Sequence, residues 1–391
     1  MTINADPDRV RATARAEPVG SLLRTAELTA AFDRLYADGV CPCRSAVAIN
    51  RTSDLGEVQA LANEVVPSLV QHQLDAGLDV VTDGEMRRSI FLSSFYDAID
   101  GLEGIGRPLE HKDDTGEVVH VGRSDPIVGS PLRKAASPLA EEVAFMRGLG
   151  EFPFKVTLPA PSYFYMVGHS VDILESAGYD TREQLVTEIT QIEQRLIAEA
   201  VAAGARWIQL DFPLYPALVD ADSAAALDSK LSASELLDRA IEADTKVIEH
   251  VPGDVVTGMH LCRGNMAIAF WDGSLEPVAE RMFGELPYHR YSVEWEDTER
   301  EGDFSPLRFV PKDKIVALGV VSTKTPELES DDEVIAQLEE ASTYLDMDQL
   351  AVTTQCGFSS VHNYHLIDAE EHQWRKLELV GRVADRVWGR S

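Results

Sequence analysis

The stretch TREQLVTEITQIEQRLIAEAVAAGARWIQLDFP, residues 181–213, decides the fold class. Its first two-thirds has helical periodicity, opens with Thr181 and Gln184 at capping-box spacing, and stops at Gly204. A β-rich run follows at once and ends in Asp211. The same phrase recurs in residues 53–85, where Val58, Leu61, Val65 and Leu69 precede the stop Gly77 and the run LDVVTDGE. It recurs again in residues 232–262, where Ser232 and Glu235 open a helix that leads to DVVTGMHLC. Helix, glycine, strand, repeated, predicts βα units and a parallel sheet.

Working outward gives eight β-rich runs, at residues 17–21, 78–85, 154–162, 206–213, 254–262, 291–296, 314–322 and 350–356. Eight strands with intervening helices predict an α/β fold, a single (β/α)8 TIM barrel. A doubly wound open sheet is the competitor, but no glycine-rich phosphate fingerprint follows the first run. Residues 101–135, rich in Gly, Asp and Arg, read as an inserted excursion after the second strand, a hairpin or lid. Residues 1–16 read as a flexible tail, residues 17–390 as one barrel domain, and residues 370–389 as its closing amphipathic helix.

The 391 residues carry 35 Lys and Arg against 66 Asp and Glu, a formal net charge of −31. Such a field repels polyphosphates and argues against nucleic-acid binding. No apolar run approaches the roughly 18 residues of a membrane span, and the polar start lacks the apolar middle of a signal peptide. The expectation is a cytoplasmic protein with no membrane partner, whose four cysteines stay reduced.

The β-rich runs end in chemically capable groups: Ser21, Asp83 to Glu85, Asp211, His260 with Cys262, Glu294, Ser322 and Cys356. In a barrel these are the C-terminal strand ends, where active sites of that architecture lie. His260 and Cys262, two apart on a strand, share a face. With Cys356 and Glu294 they form a set suited to zinc rather than to magnesium or calcium. Buried inert thiols are the alternative. Glu85 and Asp211 form a second pair, able to act as acid and base or to bind an amine. Glu85 could equally pair with Arg87 or Arg88, and Asp211 could be only a turn former. Cys41 and Cys43, in a CPC sequence, read as packing or exposed thiols in a connection. His362 and His365 follow Cys356 closely and stand as candidates to support a ligand or to fill surface or core positions.

Six ordered motifs carry a family resemblance: VGSLLR (19–24), DVVTDGEMRR (79–88), IQLDFP (208–213), GMHLCRGN (258–265), STKTPELE (322–329) and TTQCGFSS (353–360). Together they resemble the catalytic C-terminal barrel of cobalamin-independent methionine synthase. The chain looks most like the short, single-barrel relatives of 5-methyltetrahydropteroyltriglutamate–homocysteine methyltransferase. The resemblance implies zinc on His260, Cys262, Glu294 and Cys356, with Glu294 preferred over Glu285 because it closes a strand. It implies that the zinc holds a small-molecule thiol, homocysteine, as thiolate for attack on a methyl donor, giving methionine. Glu294 would be the labile ligand and, with Asp211, a catalytic residue. The backbone of Gly20 and Ser21 would hold the amino acid's carboxylate, and Glu85 and Asp211 its ammonium. Three departures stand out. There is one barrel rather than two, Phe212 replaces an acidic residue after Asp211, and residues 320–327 lack a histidine. They leave open another electrophile: a corrinoid or small-molecule methyl donor, or an epoxide with a thiol such as coenzyme M. A uroporphyrinogen-decarboxylase-like lyase and a non-catalytic zinc- or thiol-binding barrel are the alternatives of other classes.

Overall fold

The computed structural model describes residues 13–35, 55–105, 109–112, 118–121, 126–166, 171–219, 227, 231–265, 271, 273–295, 302–362, 366–367 and 369–389. Cys41, Cys43, His365 and residues 1–12 lie outside the described residues. The strands, in chain order, are β1 (Ala16–Glu17), β2 (Ile99–Ile105), β3 (Leu109–Lys112), β4 (Val118–Val121), β5 (Pro126–Lys134), β6 (Val156–Pro159), β7 (Trp207–Asp211), β8 (Val256–Leu261), β9 (Arg290–Glu294), β10 (Ile315–Val321) and β11 (Leu350–Thr354). Seven of them form one sheet in the order β1-β11-β10-β9-β8-β7-β6. Every pairing in it is parallel. From β6 to β11 each strand lies beside its successor, and the first strand lies beside the last. The strands are buried on both faces: every residue of β7, β8, β9 and β11 is buried. That is the signature of a parallel sheet enclosed by helices.

The helices form where the sequence predicts them, with one refinement. Ser232 and Glu235 make a full reciprocal capping box at the helix Ala233–Lys246. At the helix Arg182–Ala203 the Thr181 side chain accepts from Gln184 N–H, but Gln184 reaches back to Asp180 N–H at 2.7 Å instead of to Thr181. Gly204 ends that helix at φ +113°, a left-handed conformation that glycine adopts without a side-chain clash. The closing helix spans Glu370–Trp388.

The second predicted strand is corrected. Residues 78–85 make only a single parallel bridge, Val81 to Phe154. The reason lies in where their backbone groups go. Thr82 N–H donates to Gln73 Oε1 at 3.0 Å, and Thr82 C=O accepts from Gln73 Nε2 at 2.9 Å. The Asp79 carboxylate takes the N–H groups of Arg15 and Ala16 at 2.6 and 3.0 Å. Side chains therefore satisfy groups that a ladder would otherwise use. The segment nonetheless touches both edges of the sheet: Asp79 N–H donates to Ala16 C=O at 2.8 Å, and Lys155 N–H to Val81 C=O at 3.0 Å. Both edge strands thus come to one segment.

The described residues also include contacts before residue 17. Ala14 is buried, and Ala16 and Glu17 pair with Val352 and Thr353. The excursion is built from two antiparallel pairs, β2 with β5 and β3 with β4. It runs from Ile99 to Lys134. Among the described residues, no helix is long and apolar enough to cross a membrane.

Candidate active site

Parallel register brings the C-terminal strand ends together. Asp211 pairs with His260 across β7 and β8, and His260 with Ser292 across β8 and β9. Glu294 pairs with Gly319, and Gly319 with Thr353. Cys356 stands two residues beyond the end of β11.

The result is a compact buried trio. One donor atom each of His260, Cys262 and Cys356 lies within 4.8 Å of the others. The two sulfurs are 3.0 Å apart and both thiols are reduced. Gly264 N–H points at Cys262 Sγ from 3.3 Å. Burial pushes the Cys262 thiol up, but the Cys356 S–H, the imidazole of His260 and the Gly264 N–H outweigh it and hold Cys262 below the usual thiol range. Cys356 is correspondingly pushed well up by its bond to Cys262 and by burial. The two sulfurs and the imidazole converge on one point, and a soft divalent cation could be held there. His260 has both ring nitrogens engaged: Nδ1 faces Asp211 Oδ1 at 3.4 Å and Nε2 faces Gln355 C=O at 3.2 Å. Burial lowers its basicity, yet the bond to Asp211 and the Cys262 charge leave the imidazole raised.

Glu294 is fully buried beside the trio, with Oε2 3.9 Å from Cys356 Sγ. Its oxygens are taken by the chain: Oε2 by Arg263 N–H at 2.7 Å, Oε1 by the Lys324 ammonium. Glu285, the alternative, is a helix residue ion-paired to exposed Arg281.

Of the carboxylate pair, Asp211 closes β7 and Glu85 lies in the turn that follows the Val81 bridge. Glu85 is 3% exposed, and its Oε1 accepts from Thr157 Oγ1 at 2.9 Å and from Arg88 Nη1 at 3.4 Å. Its Oε2 has no hydrogen-bond partner among the described residues. Burial and the charge of Asp211 push the Glu85 carboxyl up, against Arg88, Arg24 and Thr157. Glu85 therefore pairs with Arg88, as one of its sequence readings expects, and keeps one oxygen without a hydrogen-bond partner among the described residues. Asp211 Oδ1 accepts from Gln209 Nε2 at 2.7 Å.

Backbone strain marks the same place. Among the described residues two non-glycine residues have positive φ, Glu85 at +58° and Phe212 at +59°. Such conformations cost on the order of 1–3 kcal/mol each and persist where the surroundings impose them. At Glu85, Arg24 donates to the carbonyls of Glu85 and Arg88 and to that of Ser359 at 2.7–3.0 Å. At Phe212 the ring joins Phe91, Tyr163 and Trp271, with centroids 4.9–5.7 Å away.

Gly20 and Ser21 border this space. A Cβ on Gly20 would stand 2.9 Å from Glu85 Oε1, and one on Gly357 would meet Ser21 Oγ at 2.2 Å. Ser21 Oγ accepts from Ser359 N–H at 3.3 Å, which ties this loop to the loop after Cys356. His362 lies elsewhere: it packs on Phe32 and bonds Asp33 and Ser89. Thr157, Gln209 and Lys324 were not foreseen. Gln209, two residues before Asp211 on one strand, shares its face, and that alternation could have found it.

No family model matches the chain. It is 31% identical over 388 residues to the uncharacterized protein YxjH of Bacillus subtilis, covering 97% of this chain and 96% of that protein. It is 22% identical over 318 residues to a methionine synthase of Sulfolobus acidocaldarius, covering 80% of this chain and 81% of that protein. A solved B12-independent methionine synthase of Shewanella sp. W3-18-1, in complex with selenomethionine, superposes with a TM-score of 0.70 at 20% identity. That match covers 96% of this chain and 98% of the other.

Proposed function

Because this chain belongs to the cobalamin-independent methionine synthase family, we propose that it is a zinc-dependent methyltransferase that methylates the sulfur of homocysteine to give methionine. The observation that carries the reading is the trio His260, Cys262 and Cys356 within 4.8 Å; the buried Glu85, one oxygen of which has no hydrogen-bond partner among the described residues, adds to it. Archaeal relatives named methionine synthase support it. The reading includes closure of the sheet into an eight-stranded barrel, with residues 78–83 between β1 and β6 in the second position.

His260, Cys262 and Cys356 would hold the metal. When bound, zinc lowers the pKa of a coordinated thiol so that it is a thiolate at neutral pH, which a free thiol of pKa ~8.5 is not. The chain's own side chains place the amino acid. Glu85 Oε2 accepts its ammonium, with Thr157 and Arg88 fixing the carboxylate from the other oxygen. Asp211 adds a second negative charge and orients His260 through Nδ1. The backbone at Gly20 and Ser21 takes the carboxylate end. The thiol's proton passes to water, an S–C bond forms as the donor–C bond breaks, and the leaving group keeps the bonding pair.

One observation favours a second reading of the donor alone. Phe212 lays an apolar ring against Trp271, Phe91 and Tyr163 directly beside Asp211. The electrophile would then be a corrinoid or small-molecule methyl donor, or an epoxide, with the sulfur site unchanged.

The deciding assay is methionine formation by zinc-loaded protein from homocysteine and methyltetrahydrofolate, beside a Cys356→Ala control. Methionine from the intact protein only is the expected result. Zinc bound without methionine would remove the folate donor, and no zinc bound would remove the reading.

A further inference from the structure

Arg88 faces two buried carboxylates and serves them unequally. Its Nη2 donates to Glu142 Oε2 at 2.8 Å, while its Nη1 lies 3.4 Å from Glu85 Oε1, at the outer limit of a hydrogen bond. Arg88, Glu85 and Glu142 are each 3–4% exposed. Glu142 stands on the helix Pro138–Leu149, among the buried side chains Leu139, Val143 and Met146. A carboxylate on such a face is costly without a cation, and Arg88 is the cation it meets.

The Arg88 Nη1 makes its short bond elsewhere, to Thr157 Oγ1 at 2.6 Å. A hydroxyl that accepts there has one proton to give, and Thr157 gives it to Glu85 Oε1 at 2.9 Å. Arg88 thus reaches Glu85 mainly through a neutral hydroxyl. Electrostatics follow the distances. Burial lowers the basicity of Arg88, but Glu142 first, then Glu85 and Asp83, outweigh it and raise it. At Glu85, burial and the charge of Asp211 prevail over Arg88. Without Glu142 the guanidinium would have Glu85 as its nearest carboxylate. A fork of donors pairs with a carboxylate at two points, and such a pairing would take the Glu85 Oε2 that now has no hydrogen-bond partner among the described residues.

Resting on the reading of Glu85 as the ammonium acceptor, we infer that Glu142 is a positioning residue that holds Arg88 back from Glu85, so that the site selects a ligand carrying an amino group. Glu142 acts on the ligand through Arg88 and Glu85.

The test compares two thioethers, methionine and 4-(methylthio)butanoate, which differ only in the amino group. Their binding to zinc-loaded wild type and to Glu142→Gln is measured by calorimetry at pH 8. Burial, with Asp83, pushes the Glu142 carboxyl up to about 7 against Arg88 and Arg87, so at that pH it is ionised. Wild type is expected to prefer methionine by about tenfold or more, the worth of a charge-assisted hydrogen bond. Glu142→Gln is expected to lose about tenfold in affinity for methionine and less than about threefold for 4-(methylthio)butanoate. A damaged fold would weaken both ligands alike. Thermal melting checks the variant; should Glu142→Gln not fold, Glu142→Met, which buries no polar group at that position, takes its place with the same expectations. Equal losses for the two ligands, or a wild-type preference for methionine that the variant keeps, overturn this inference alone. If wild type binds methionine no better than 4-(methylthio)butanoate, the reading of Glu85 as an ammonium acceptor falls, and the inference with it.

Discussion

At the N-terminal ends of β6 and β9, Lys155 and Arg290 both close on Glu17, at 2.9 and 2.7 Å. Lys155 also reaches Gln209 Oε1 at 2.7 Å, and Arg290 reaches Ala14 C=O at 3.1 Å and lies over the Trp207 ring. At the C-terminal ends of the same sheet, Glu85 keeps one oxygen without a hydrogen-bond partner among the described residues and two cysteine sulfurs lie 3.0 Å apart. Both regions bury charge. In the first, each carboxylate oxygen of Glu17 has a cation against it; in the second, the donors converge and leave capacity over. Buried charge that is fully paired holds a fold together or costs little, while buried charge left incomplete needs a ligand to complete it. Gln209 joins the two, with Oε1 on Lys155 and Nε2 on Asp211.

The comparison breaks most visibly at the sulfurs. Cys262→Ser should abolish methionine formation and bound zinc. It should leave the metal-free protein within about 1 kcal/mol of wild type in urea unfolding, since the trio contributes function rather than stability. A large loss of metal-free stability would place the trio with the structural charges. Glu17→Gln is the mirror experiment. It strips Lys155 and Arg290 of their carboxylate and should destabilise by ~3–5 kcal/mol, read as a lower urea midpoint at unchanged slope. A shift below about 1 kcal/mol would mean that the network is not structural.

Acid unfolding sharpens the same contrast. Burial alone would push the Glu17 carboxyl up, but the charges and hydrogen bonds of Lys155 and Arg290 hold it down to about 2, against an ordinary 4.5. The folded form therefore binds this proton less readily than the unfolded form. The stabilisation is full above pH 4.5 and fades as pH falls toward 2, on the order of 3 kcal/mol in all. Urea midpoints followed from pH 6 to pH 2.5 should fall more steeply for wild type than for Glu17→Gln. Parallel curves would contradict it.

Period and punctuation made the sheet and its rim legible. Seven of eight predicted runs form parallel strands, and His260, Cys262 and Cys356, each at the close of one, meet as expected. What stayed hidden depends on side-chain bonding that pattern does not encode. Residues 78–85 have the composition of a strand, yet Gln73 and Asp79 take their backbone partners. Glu17, Lys155 and Arg290 are scattered over the chain, and a charged residue in isolation reads as surface. Lys324 sits in a polar loop with no period, so nothing in STKTPELE announces that it will reach Glu294.

The smallest expected effect is the most specific. In Glu85→Gln the amide oxygen can keep the bonds to Thr157 and Arg88. The amide NH2 then stands where Oε2 has no partner now, and it presents donors to an ammonium group that needs an acceptor. Losing one charge-assisted hydrogen bond is worth about 1.5–3 kcal/mol, so KM for homocysteine should rise roughly 10- to 100-fold. Zinc affinity should not move, because Glu85 touches none of the trio. Unfolding should not be easier either: an isosteric neutral group replaces a buried carboxylate that burial already disfavours as the anion. A variant with unchanged KM but a lower urea midpoint would move Glu85 into the class of Glu17, a charge kept for Arg88 and not for a ligand.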